Sequence, residues 1–295
     1  MNKILISLTA LSLINVASCQ EKKLVPEKAS WKDTEKTWNS AAEIARYDLK
    51  QEFYGKIVTG EAMMIYVREP FLKKKQVKDE SGKGNYQVLK LNATREFKTG
   101  FYPYYTLTSV FQPIEPSSTG KALKVTTSVQ DWCGNVFIQT NRKDGNLVTE
   151  VKSYFEKEDN GVFKEKSSAL LEDEVWTALR LNPTKLPTGE VSMIPGSLSQ
   201  RFSHTKPIAM TAQIKWAKGN TDETITYEIY YPSNSRKLTI EIQSELPYEI
   251  QGWHESNNKG LLSSGTLKKR LTNVDYWNYT DKKSGNELRK KMGLN

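Results

Sequence analysis

A chain of 295 residues with 37% apolar and 10% aromatic content can build a real core, which excludes a disordered polypeptide. Its 43 basic and 34 acidic side chains leave a formal charge of +9, spread along the sequence without a long block of one sign. A solvated basic surface is the plain reading. No DNA- or RNA-binding signature accompanies the charge, so nucleic acid is not an expected partner.

The first residues have three parts. Met1 to Lys3 carry one positive charge, Ile4 to Val16 are almost uncharged, and the small residues Ala17 and Ser18 precede Cys19. This is the layout of an export signal, too short to span a bilayer and followed by no stop-transfer pattern. Val16-Ala17-Ser18-Cys19 resembles the bacterial lipobox. The resemblance implies cleavage before Cys19, a diacylglycerol thioether on its sulfur and an acylated (palmitate-type) new amine. Each buried methylene contributes about 0.8 kcal/mol, so such chains hold a protein on a membrane without a spanning helix. Gln20 follows where an Asp would favour the inner membrane, so the resemblance points to the outer membrane, facing the periplasm. The expected organisation is a signal over residues 1–18, a lipidated polar tether over 19–30 and one β-rich domain over 31–295.

In chain order, the spacing of Trp38, Ala41, Ala42, Ala45 and Leu49 predicts a helix over 37–49. In "EAMMIYV", Ala62, Met64 and Tyr66 alternate with Met63, Ile65 and Val67, so both faces of that strand need cover. Gly82-Lys83-Gly84-Asn85 reads as a turn. Leu123, Val125, Thr127 and Val129 alternate with polar neighbours, predicting a half-buried strand. Asp144-Gly145-Asn146 and Pro232-Ser233-Asn234-Ser235 each separate two strand-like runs and predict hairpins. A second helix is expected over 168–181, with Leu171, Val175, Ala178 and Leu179 on one face and Asn182-Pro183 as its stop. The Pro- and Gly-bearing stretch 183–207 shows little periodicity and reads as a long excursion that could serve as a lid. Ile225, Tyr227, Ile229 and Tyr231 predict another strand, as do Leu238, Ile240 and Ile242. The basic end, 282–295, reads as a short helix or frayed tail. The fold class is therefore β-rich α+β, a strongly curved antiparallel sheet (a half-open barrel) with one or two packed helices.

The search for chemistry is mostly negative. There is no Gly-x-Ser-x-Gly elbow, His-Glu-x-x-His, Walker loop or Cys-x-x-Cys, and no metal or cofactor is implied. Cys133 is the weak candidate nucleophile, with His204 or His254 as the histidines that could serve it. The plainer reading of Cys133 is a buried small side chain in a strand beside Gly134. Glu172, Asp173 and Glu174 fall in the first turn of a helix, where negative charge complements the dipole. Phe101, Tyr102, Tyr104, Tyr105 and Phe111 crowd around Pro103 and could line the mouth of a lipid or sugar site, or simply form core.

"RYDLKQEFYGKIVTGEAMMIYVREPF", "KLNATREFKTGFYPY", "LKVTTSVQDWCGNVF" and "YEIYYPSNSRKLTIEI" together resemble a family of exported bacterial proteins whose members often carry the label septum formation inhibitor Maf. The Ser-x-Ser-Pro-Arg-Arg phosphate motif of the cytosolic nucleotide pyrophosphatases of that name is not in this sequence. More loosely, the opening "YG…GEA" strand and the closing hairpin resemble periplasmic lipoprotein carriers, which wrap a half-open sheet around a helix. That resemblance implies a non-enzymatic module anchored through Cys19, binding a hydrophobic ligand or an unidentified envelope partner. The alternative is an envelope hydrolase using Cys133 or a histidine.

Overall fold

The computed structural model describes residues 24–39, 41–82, 86–114, 120–156, 158 and 160–294. The expected signal, Cys19 and residues 83–85 of the expected turn lie outside these residues. The elements run α1 (Trp31–Thr37), β1 (Ala42–Phe53), β2 (Lys56–Leu72), β3 (Val77–Lys78), β4 (Gln87–Thr99) and β5 (Tyr102–Pro113). There follow β6 (Lys124–Gln130), β7 (Asn135–Lys143), β8 (Asn146–Ser153), β9 (Gly161–Lys166), β10 (Leu170–Leu171) and α2 (Glu172–Leu181). The last third holds β11 (Gly189–Ile194), α3 (Ser197–Ser203), β12 (Met210–Lys218), β13 (Thr224–Tyr231) and β14 (Arg236–Gln243). β15 (Ile250–Asn257), β16 (Gly260–Val274) and α4 (Lys282–Lys291) complete it.

The fold is β-rich, with one large mixed sheet of 16 strands that does not close. Its order is β10-β11-β12-β13-β14-β15-β16-β1-β2-β4-β5-β6-β7-β8-β9, with β3 paired only to β2. The first and last strands therefore meet in the middle, and the two edges, β9 and β10, are consecutive in the chain. Among the described residues only the short β10–β11 pair is parallel; the other ladders are antiparallel, as short hairpin connections require. Asp144 and Gly145 both take positive φ (50° and 76°), the twist-matching hairpin geometry, and Lys143 pairs with Asn146. Tyr231 pairs with Arg236 across the second expected hairpin.

Strands β1, β2 and β5 bond α2. Thr177 Oγ1 donates to Gln112 Oε1 of β5 (2.6 Å), and Tyr66 Oη of β2 donates to the Trp176 carbonyl (3.2 Å). Arg180, 1% exposed, forks onto Glu43 of β1 (Nη1–Oε1 2.5 Å, Nη2–Oε2 2.8 Å) and stacks over Trp38 and Tyr66. Buried ion pairs of this kind fix geometry more than they add stability, while losing one partner is costly.

Three expectations are corrected. Residues 37–49 are not a helix: α1 ends at Thr37, and β1 begins at Ala42. The small alanines satisfied a helical spacing, but Ala45, Tyr47, Leu49 and Gln51 also alternate, and pairing with both β2 and β16 decides the outcome. The stretch 183–207 is not an irregular excursion, since it contributes β11 to the sheet and folds α3. The second helix begins at Glu172, because Leu170 and Leu171 are taken into the sheet as β10. Residues of the expected tether also bond the domain: the Glu27 N–H donates to Ser244 O, and Tyr248 Oη bonds both Glu27 O and the Ala29 N–H.

The two-faced β2 strand is covered twice. Ala62, Met64 and Tyr66 enter the main core, while Met63 and Ile65 lie under α4 with Ile44, Leu271, Leu288 and Met292. The basic C-terminal segment is thus an amphipathic helix closing the outer face. Arg46 fastens it, bonding Glu61 (2.5 Å) and the Gly293 carbonyl (2.9 Å).

Candidate functional site

Between α2, α3 and the inner face of the sheet lies a cavity of about 140 Å3. Its floor is apolar, from Ala62 and Met64 of β2, Leu91 and Ala93 of β4, and Val110 of β5. Trp176 of α2 and Trp253 of β15 stand edge to face (5.8 Å, 89°) in its wall. Trp253 reaches this position because residue 265 is glycine: a Cβ there would fall 2.1 Å from the indole ring.

α3 roofs the cavity with Leu198 and Phe202. The helix is tied at both ends. At its start, Ser197 donates its N–H (2.9 Å) and hydroxyl (2.7 Å) to Asp173 Oδ2. Gly196 permits this approach, since a Cβ would come 2.8 Å from Glu172 Oε1. Near its end, Arg201 pairs with Glu158 (2.6 Å) in the turn after β8, and His204 Nδ1 lies 3.1 Å from the same carboxylate oxygen. Phe202 sits edge-on to Phe53 (5.1 Å) and Phe97 (6.2 Å).

The acidic triplet of α2 falls in its first turn as expected, and it is also buried and individually engaged. Arg236 bonds both Glu172 oxygens (2.6 Å each) and donates Nε–H to Glu255 (2.7 Å). Tyr231 Oη donates to Glu172 (2.7 Å), and Ser263 Oγ donates to Glu255 (3.0 Å). Glu174 accepts from the Ala122 and Leu171 N–H groups and from Arg142 (3.0 Å). Burial pushes Asp173 up to about 6 against the Ser197 hydrogen bonds. Burial also pushes Glu255 up, but Arg236 and Arg95 outweigh it, and its net shift is downward.

Arg95 of β4 is the polar group that sequence reading missed. It lines the cavity with its guanidinium 5.2 Å from the Trp253 ring centroid, and Nη1–H donates to Gln51 Oε1 (2.9 Å). It forms no ion pair among the described residues. Its signal in the sequence was slight, one basic residue among the inward positions Leu91, Ala93 and Phe97.

The five expected aromatics are brought together only in part, with Tyr102 packed on Tyr104 (5.6 Å). Strand alternation turns Tyr104 inward, stacked on Phe97 (5.3 Å, 3°), and Tyr105 outward. Phe111 stacks on Phe71 (5.5 Å), and none of the five lines the cavity. Phe101, 83% exposed, packs edge-on to Trp132 (5.3 Å) at a turn, and Tyr102 lies 3.4 Å from Tyr54 Oη. Since successive strands reverse, the turns carrying Tyr54, Phe101, Trp132 and Tyr154 share one end of the sheet. All four side chains are exposed.

Cys133 is exposed in the β6–β7 turn, not buried in a strand; Asp131 Oδ1 accepts from its N–H and folds the turn. Among the described residues it hydrogen-bonds no histidine. His254 is exposed on β15, opposite Thr239 and Ser264. No cluster of metal-ligating side chains occurs among the described residues, and no described helix is long and apolar enough to cross a membrane. In comparisons with known proteins, the chain matches no family model and no curated protein.

Proposed function

We propose that this chain is a non-enzymatic binding module of the cell envelope, anchored by lipid at Cys19, whose sheet works as a half-open barrel holding a hydrophobic ligand. The observation that carries this reading is the cavity under α3, apolar on its floor and walled by two indoles. Binding sites are typically concave and mostly apolar with a few placed polar groups, as here. α3 serves as the roof that the ligand passes, since it is a two-turn helix held by a few polar ties. The test is native mass spectrometry of protein extracted in mild detergent. A co-purifying hydrophobic molecule that leaves when α3 is loosened by Asp173→Ala and Phe202→Ala supports the reading. A ligand-free interior that takes up no acyl compound overturns it.

The envelope-partner form of this role draws support from a separate observation, the exposed aromatic turns at one end of the sheet. Exposed Trp and Tyr clusters are common at interfaces. Photo-crosslinking from position 132 in cells would return a discrete envelope partner, and a crosslink pattern indifferent to Phe101→Ser would count against that face.

A further inference from the structure

The charges of the cavity wall are almost all accounted for by contact. Glu172 and Glu255 share Arg236, and Asp173 is spent on Ser197. Arg95 differs. It is half-buried and lines the cavity, and it gives one N–H to Gln51. Its Nη2 and Nε groups meet no acceptor among the described residues. A guanidinium carries five N–H donors in a fixed plane and keeps its charge, so donors left over in an apolar cavity favour an incoming acceptor.

The surrounding charge narrows what that acceptor is. Two guanidinium groups, Arg95 and Arg236, face four lining carboxylates, Glu52, Glu172, Asp173 and Glu255, so the wall already carries its full share of negative charge. An anion would meet Arg95 at contact but would add uncompensated charge beside Glu255. An uncharged acceptor takes the free N–H groups without that cost. The neighbouring indoles and aliphatic floor suit a hydrocarbon body.

We propose that Arg95 is a binding residue for the head of an uncharged acyl ester, donating its free N–H groups to the ester carbonyl while the hydrocarbon lies along the floor and the two indoles. This inference rests on the reading of the cavity as a hydrophobic ligand site and gives it a substrate class. Because one N–H remains with Gln51, the side chain is held in place before the ligand arrives, which limits the entropy lost on binding.

The experiment is a calorimetric or fluorescence titration of the full chain with three probes of matched length: methyl octanoate, octanoate and octane. The account expects methyl octanoate to bind at least about tenfold more tightly than octane, the contribution of hydrogen bonds from a charged donor. It expects octanoate to be weaker than the ester. Arg95→Met should remove the ester's advantage while leaving octane binding in place, and Arg95→Lys should recover only part of it. Equal binding of ester and octane, or octanoate binding more tightly than the ester, overturns the role of Arg95 while the cavity reading stands. Binding of none of the three overturns both. The comparison of probes on the native chain needs no variant, so it decides even if Arg95→Met unfolds.

Discussion

At the scale of single residues, two buried carboxylates pull the stability of this protein in opposite directions with pH. Glu43 is desolvated, but Arg180 and Arg270 outweigh that cost and hold its pKa down at about 2. Its contribution is therefore complete above its ordinary value of 4.5 and is lost as pH falls from there toward 2. Asp173 is raised to about 6 from 3.8, so the folded state gains protons the unfolded state does not hold, and stability rises as pH falls through 6 toward 4. Denaturant midpoints from about pH 2 to about pH 8 should show Glu43→Gln flattening the acid limb and Asp173→Asn flattening the limb near 6. Glu43→Gln should also lose about 3–5 kcal/mol at neutral pH, because it strands a buried guanidinium. Gly265→Ala, whose Cβ would collide with Trp253, should cost about 1–3 kcal/mol in thermal denaturation.

At the scale of elements, α4 is a cover. Leu288 and Met292 lie over Ile44, Met63 and Ile65, and Arg46 holds the C-terminal carbonyl beyond the helix. Burial of each apolar side chain contributes about 1.5–3 kcal/mol, so Leu288→Asp should destabilise by at least that much and expose a dye-binding face on β1 and β2. Unchanged melting and no added dye binding would show that the face needs no cover. The need for cover on β2 was legible in "EAMMIYV", because both of its alternating sets are apolar. The strands around Val125, Tyr227 and Ile240 and the hairpin at Asp144-Gly145 were legible for the same local reason. β1 was not, since its alanines fit two periods and only pairing with β2 and β16 distinguishes them. β11 and α3 hid among Pro and Gly because the first is set by its neighbour β12 and the second by Asp173 and Glu158.

At the scale of the molecule, the chain leaves the centre of the sheet through β1, runs to one edge at β9, passes through residues 167–169 to the other edge at β10, and returns to the centre through β16. That path brings Arg95, Glu172, Arg236 and Trp253 together from four separate regions of the sequence, and no local pattern marks such a meeting. The acids of α2 read locally as dipole partners, and their burial becomes visible only once Arg236 is placed. The aromatic run around Pro103 is dense in sequence but divided by strand alternation between core and surface. The central claim is that the space beneath α3 accepts a hydrophobic ligand, and Trp176 and Trp253 report on it directly. Titration with a bromoalkyl ester should give saturable quenching of part of the indole fluorescence, and Trp176→Phe with Trp253→Phe should abolish that part. Quenching that never saturates, or that survives both substitutions, would contradict the account.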